Sequence, residues 1–215
     1  MNPACEFDHL VVGARTLEQG VAFIEDLLGA APQTGGRHLA MGTHNKVLRL
    51  GARSYLEVIA IDPAGVAPAR PRWFGLDDEA VRERLRESPR LLTWAARTPD
   101  IQGAVRRCEM SPGAIHPMTR GSYQWRITIP DDGALVCAGL MPTLIQWDCA
   151  AHPADNLHNS GCSLIKIEGA HPESARIATA LGASALDQLI KVRSGVAVQL
   201  IATLRGPRGL CKLTS

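Results

Sequence analysis

Aromatic residues are scarce in this sequence. Three Phe, two Tyr and four Trp make up 4% of 215 residues, so the interior has to rest on Leu, Ile, Val and Ala, and each Trp can be read individually. An excess of charge is also lacking. The 23 Lys and Arg against 21 Asp and Glu leave +2, which excludes the broad basic field that nucleic-acid binding uses. No stretch reaches the roughly 18 apolar residues of a membrane span. The opening MNPACEFDHLVVG has no cationic start, long apolar run or small-residue cleavage site of a secretory leader. The expectation is a cytoplasmic protein with neither nucleic acid nor membrane as partner. Cys5, Cys108, Cys137, Cys149, Cys162 and Cys211 form no closely spaced pair, and they read as small core residues in a reducing compartment.

What the sequence does have is a strand followed by an amphipathic helix, used three times, within a chain whose 46% hydrophobic content suffices for a sizeable core. Phe7 to Val12 reads as a strand. Thr16 and Gln19 then form a capping-box pattern, Leu17, Val21, Ile24 and Leu28 share one helical face, and Gly29 stands at the exit. Leu91 to Ala96 is the second such strand, with Thr98 as cap and Pro99 at the first helical position. Leu164 to Glu168 is the third, with Pro172 opening a helix that carries Ile177 and Leu181.

Short strands fill the gaps. They are predicted over Arg37–Met41, Lys46–Leu50 and Ser54–Ile61 after the first helix, and over Ala114–Met118, Ser122–Ile129, Leu135–Ala138 and Thr143–Trp147 after the second. These connections are too short to hold the crossover helices of a doubly wound parallel sheet. Residues 64–89 read as a connector whose Pro-rich opening crosses the surface and whose one charged helix, over Asp77–Arg86, turns Val81 and Leu85 inward.

The βα–strand–strand–strand order, with FDHLVV, GGRHLAMGTHNKVLRLG, YLEVIAID and PTLIQWD, resembles the vicinal oxygen chelate superfamily, and within it the glyoxalase-like domain proteins. The resemblance covers about residues 6 to 150. It implies an α+β fold in which paired βαβββ modules, 6–63 and 90–150, curl into a sheet cleft, with 161–205 as a partial third module. It also implies a small-molecule enzyme of lyase, isomerase or dioxygenase type, or alternatively a non-catalytic binding or sequestration protein. Nothing in the residues chooses between monomer and homodimer.

In that superfamily the metal ligands lie on the first and last strands of each module, which maps them to His9 and Glu57 in the first half. Imidazole and carboxylate suit Zn, Mn, Fe, Co or Ni, and His44 in the GTHN turn is the expected additional ligand. The divalent metal stabilises an anionic intermediate; in a metal-free version Glu57 accepts a substrate proton instead, and His9 and Glu57 are the catalytic pair in either case. The second half departs from the pattern. Aligning the two halves sets Thr93 near the His9 position and Gln146 opposite Glu57, two neutral groups better suited to binding substrate. Asn45, Arg126, Trp125 and Trp147 complete the expected substrate contacts, with one Trp expected in the cleft wall and the other in the core. His38 precedes a short apolar run, and His152 and His158 lie in a polar crossover loop.

Overall fold

The computed structural model describes residues 5–215. The first half runs β1 (Glu6–Gly13), α1 (Leu17–Leu28), β2 (Gln33–His38), β3 (Thr43–Gly51) and β4 (Ser54–Ile61). After a helix α2 (Glu79–Glu87), the second half repeats the order as β5 (Arg90–Arg97), α3 (Ile101–Arg107), β6 (Ala114–Arg120), β7 (Tyr123–Ile129) and β8 (Thr143–Trp147). All eight strands form one curved sheet in the order β2-β3-β4-β1-β5-β8-β7-β6. Within each half the first strand is parallel to the last, and β1 and β5 meet antiparallel at the centre. Two βαβββ modules therefore sit side by side about a pseudo-two-fold axis, the α+β architecture expected.

Local chemistry explains most element ends. Thr16 caps α1 by accepting the Gln19 N–H at 3.2 Å, and Gly29 leaves it at φ 76, a left-handed conformation that glycine adopts without a Cβ penalty. At α3 the cap is Asp100, which accepts the Gly103 N–H at 2.9 Å; it displaces Thr98 because a carboxylate two residues further on reaches the free amides better. The helix of the third βα unit, α4 (Ser174–Ala183), starts two residues past Pro172. Of the expected strands, Arg37–Met41 is strand through His38, the end of β2, and a 3₁₀ turn over Leu39–Met41, and Leu135–Ala138 gives way to a 3₁₀ turn over Val136–Gly139. The second carries left-handed residues at Cys137 and Ala138, which no strand accommodates.

The third βα unit begins as expected with β9 (Ser163–His171) and α4, then adds β10 (Ile190–Ser194), β11 (Gln199–Gly206) and β12 (Gly209–Thr214). These strands form a separate four-stranded sheet ordered β10-β9-β11-β12, so the first strand pairs with β10 and β11 rather than with the last strand. This sheet covers the convex face of the large one. Leu200, Ala202, Leu204 and Leu213 join Leu10, Leu56, Leu91, Trp94 and the buried stripes of α1, α3 and α4 in one core. Each large aliphatic side chain fully buried there contributes about 1.5–3 kcal/mol.

The Pro-rich opening of the connector runs over the surface as expected, with no buried residue over 63–72, and Val81 and Leu85 turn inward from its helix; the stretch between them goes deeper. Trp73, Phe74 and Leu76, with Val81 and Leu85 of α2, pack into the concave face against Val11, Ile59, Leu92 and Ala95. Phe74 holds φ 60 to enter this space, a conformation that costs a bulky residue about 1–2 kcal/mol and is offset by its burial. One end of the hollow is thus filled, and the other is left for polar groups.

Candidate functional site

The open end of the concave face is a narrow cavity with about 20 Å³ of free space, walled by Trp73, Trp125, Ile127, Ile145 and Trp147. His9, His38, Asn45, Tyr55, Glu57 and Arg120 also line it. Strand parity puts most of them there: His9 and Val11 on β1, Asn45 and Val47 on β3, and Tyr55, Glu57 and Ile59 on β4 face the hollow, while Leu10, Leu48 and Leu56 face the helices.

Asp8 escapes this alternation. The β1–β5 register shifts between Phe7 and His9, so Asp8 is an extra residue in a β-bulge, and its side chain is buried beside that of His9. Its carboxylate accepts from His9 Nδ1 at 2.6 Å, Trp147 Nε1 at 3.0 Å and His152 Nε2 at 3.2 Å. Burial acts to raise its pKa, but the hydrogen bonds and charge of the two histidines outweigh it and hold Asp8 ionised well below the usual carboxylate range. The His152 tautomer is fixed from both sides, since Nδ1 accepts the Ala154 N–H at 3.2 Å and leaves Nε2 to donate to Asp8.

With Nδ1 tied to Asp8, His9 presents Nε2 to the cavity and stacks its ring on Tyr55 at 4.5 Å. Glu57 Oε2 lies 3.8 Å from that nitrogen, wider than a hydrogen bond. The other Glu57 oxygen accepts from Asn45 Nδ2. Asn45 Oδ1 in turn accepts the Gly36 N–H at 2.7 Å and an Arg120 N–H at 3.1 Å, two donors that leave one orientation for the amide. Arg120 also donates to His38 Nε2 at 3.1 Å, while His38 Nδ1 meets Thr43 Oγ1 at 3.2 Å. Burial, then the charge of Arg120, push the His38 pKa down to about 3, so this ring is neutral.

Several expected contacts lie elsewhere. His44 shares the parity of Leu48 and Leu50 and faces α1, not the cavity. Gln146 points to the helix side, where Oε1 accepts the Ile101 N–H of α3 at 2.9 Å. Arg126 is on that side too, bound to Asp148 at 2.7 Å. Thr93 faces inward but lies behind Trp73 and Phe74, donating to Gly139 O at 3.2 Å. The earlier alignment of the halves was out of step. His9 pairs with Tyr55 and Ala95 with Thr143, so register makes Ala95 and Ile145 the counterparts of His9 and Glu57. Trp125 and Trp147 both line the cavity, and neither is reserved for the core. Asp8, His38, Trp73, Arg120 and His152 join the expected residues at the site. The paired polar residues in FDHL and the GG at 35–36 were the available signals for two of them.

The donor set does not suit a divalent metal. Among the described residues only His9 and Glu57 offer free donor atoms to the cavity, His38 spends its Nε2 lone pair on a guanidinium, and the second module supplies Ala95 and Ile145. Among the described residues no three His, Cys, Asp or Glu side chains gather as a metal site.

The chain matches the glyoxalase-like domain family, Glyoxalase_3, over residues 7–185. Among solved structures it is similar to a hypothetical protein from Staphylococcus aureus, at 13% identity and TM-score 0.58, over 97% of this chain and 85% of that one. Methylmalonyl-CoA epimerase from Mycobacterium tuberculosis aligns at 15% identity and TM-score 0.41, over 67% of this chain and 88% of that one. A 4-hydroxymandelate synthase mutant from Streptomyces coelicolor aligns at 16% identity and TM-score 0.47, over 100% of this chain and 63% of that one. No curated protein matches the chain. With the paired modules and the match over most of its length, the chain belongs to the glyoxalase-like domain family.

Proposed function

We propose that the protein is a small-molecule enzyme of lyase or isomerase type that moves a proton at a carbon next to a carbonyl, with His9 and Glu57 as its acid–base pair and no metal in the step. The observation that carries this reading is the pairing of His9 Nε2 and Glu57 Oε2 across 3.8 Å at the floor of the cavity, with Asp8 behind the histidine. Asp8 orients the imidazole and stabilises it when it takes up a proton, as a carboxylate behind a catalytic histidine does. Both atoms face the cavity, so a C–H bond presented above the pair lies within reach of either. Trp125, Trp147 and Ile145 exclude water around the developing carbanion. Family membership supports small-molecule chemistry in general.

The test is exchange of substrate C–H for deuterium in heavy water, followed by mass spectrometry across a panel of oxo acids and β-dicarbonyl compounds with chelator present. Turnover is expected to persist with chelator and to fall by about 10²-fold or more in His9→Gln and Glu57→Gln, the usual range for a general acid or base. Exchange that depends on added metal, or that survives Glu57→Gln, rejects the reading. Non-catalytic capture is the second reading, favoured by the way Trp73 and Phe74 narrow the cavity; it expects ligand binding with no exchange in any compound.

A further inference from the structure

Arg120 is the last residue of β6, and its side chain passes through the gap between the two free edges of the large sheet, β2 and β6. The gap exists because residues 35 and 36 are glycines. A Cβ on Gly36 would lie 2.7 Å from Arg120 Cδ, and one on Gly35 would lie 2.0 Å from Asn45 Oδ1. Inside the gap Arg120 touches only neutral acceptors, His38 Nε2 and Asn45 Oδ1, and among the described residues it makes no ion pair. Outside, its guanidinium carbon sits 5.5 Å from the Tyr123 ring centre. It also lines a second, solvent-open groove of about 310 Å³ with Gly36, Val47, Ser122, Tyr123 and Leu157. Arg120 is the residue common to the buried cavity and this groove.

Asn45 keeps the opposite charges apart. Its amide N–H faces the Glu57 carboxylate and its carbonyl oxygen faces Arg120, so the two ions are bridged without forming a direct pair. A direct pair would tie up the carboxylate as a proton acceptor and neutralise the guanidinium. Separated, each is left for a substrate, and a half-buried guanidinium lacking a counter-charge favours an anion.

Resting on the proton-transfer reading above, we infer that the substrate is a carboxylate monoanion whose acid group is held by Arg120 at the neck between cavity and groove, with its reacting carbon inward beside His9 and Glu57 and any larger substituent outward along Tyr123. A second negative charge on the inward part of the substrate is disfavoured, since it would be brought towards Glu57. The planar two-toothed face of guanidinium matches carboxylate geometry, and Tyr123 and Leu157 offer the outer substituent an apolar wall.

The test measures binding rather than turnover. Phenylacetate and its uncharged isostere phenylacetamide are titrated against the full chain by quenching of tryptophan fluorescence, since Trp73, Trp125 and Trp147 line the inner cavity. The acid is expected to bind about tenfold or more tightly than the amide, the usual advantage of a charge-assisted hydrogen bond. Arg120→Met should equalise the two, whereas Glu57→Gln should keep or increase the preference for the acid while abolishing exchange. Equal affinity of acid and amide for the unchanged protein, no binding of the acid, or a preference that survives Arg120→Met overturns the inference. If Arg120→Met fails to fold by circular dichroism, Arg120→Lys takes its place and must keep a weakened preference, with its loss counting against the assignment. An intact acid preference with no deuterium exchange anywhere would sink the proton-transfer reading alone.

Discussion

At the scale of single residues, the site is organised by which buried groups hold their charge. Asp8 is fully buried yet ionised, and His38 is buried and neutral. Both make the fold sensitive to acid, over different windows. The folded His38 takes a proton only near pH 3, while in the unfolded chain it does so near 6.5. Between those values the unfolded state binds more protons, so stability falls as pH falls, with a slope of up to ~1.4 kcal/mol per unit. Asp8, whose folded pKa is depressed below its ordinary value of 3.8, contributes stability that is full above that value and is lost as pH drops further. Urea unfolding at a series of pH values should show stability declining from about pH 6.5 downward, and His38→Gln should flatten the decline between pH 6 and 4, limits set by the same two values. An unchanged slope in the variant would discount the histidine as its cause. From sequence, His9 and Glu57 were legible because alternation alone sends them to one face. Asp8 was not, because a bulge breaks the alternation and single-chain periodicity carries no trace of the partner strand's register.

At the scale of elements, the same limit appears in Gln146. One position away from Ile145 on β8, it faces the helices, where it takes up the first amide of α3. The seven-residue α3 has few other ways to satisfy that group. Gln146→Leu should therefore lower stability by about 1 kcal/mol, the usual loss for a removed cap, and leave ligand preference as it was. Differential scanning calorimetry alongside the acid and amide titrations separates the two effects, and a shifted preference at unchanged stability would contradict the placement. Elements with strong local chemistry, such as β4, β8 and the ends of α1, were readable in the sequence. The segments 39–41 and 136–139 were not, because apolar composition does not distinguish a strand from a 3₁₀ turn held by tertiary packing.

At the scale of the whole molecule, the order of the first two modules was visible in repeated caps and short strands, whereas the role of the last quarter was not. Nothing local in Gln199–Gly206 announces that it lies against the back of β5 and α1 rather than extending the large sheet. That position makes the C-terminal sheet part of the main core. A fragment ending at residue 160 would leave Leu10, Leu56 and Trp94 without their covering layer and is expected to be aggregated or to bind hydrophobic dye strongly. A monomeric fragment with cooperative thermal unfolding would show instead that the paired modules stand alone.

The halves of the large sheet differ in what they bring to the cavity. His9, His38, Asn45 and Glu57 come from the first half, while the second lends Trp125, Ile127, Ile145 and Trp147, with Arg120 at the rim. Substitution in those second-half walls can resize the space for a new molecule while the polar groups, carried on other strands, stay where they are. The repeated module thus leaves the fold with a fixed tool and an interchangeable die, and directed evolution for altered ligand range has its natural starting library at positions 127 and 145.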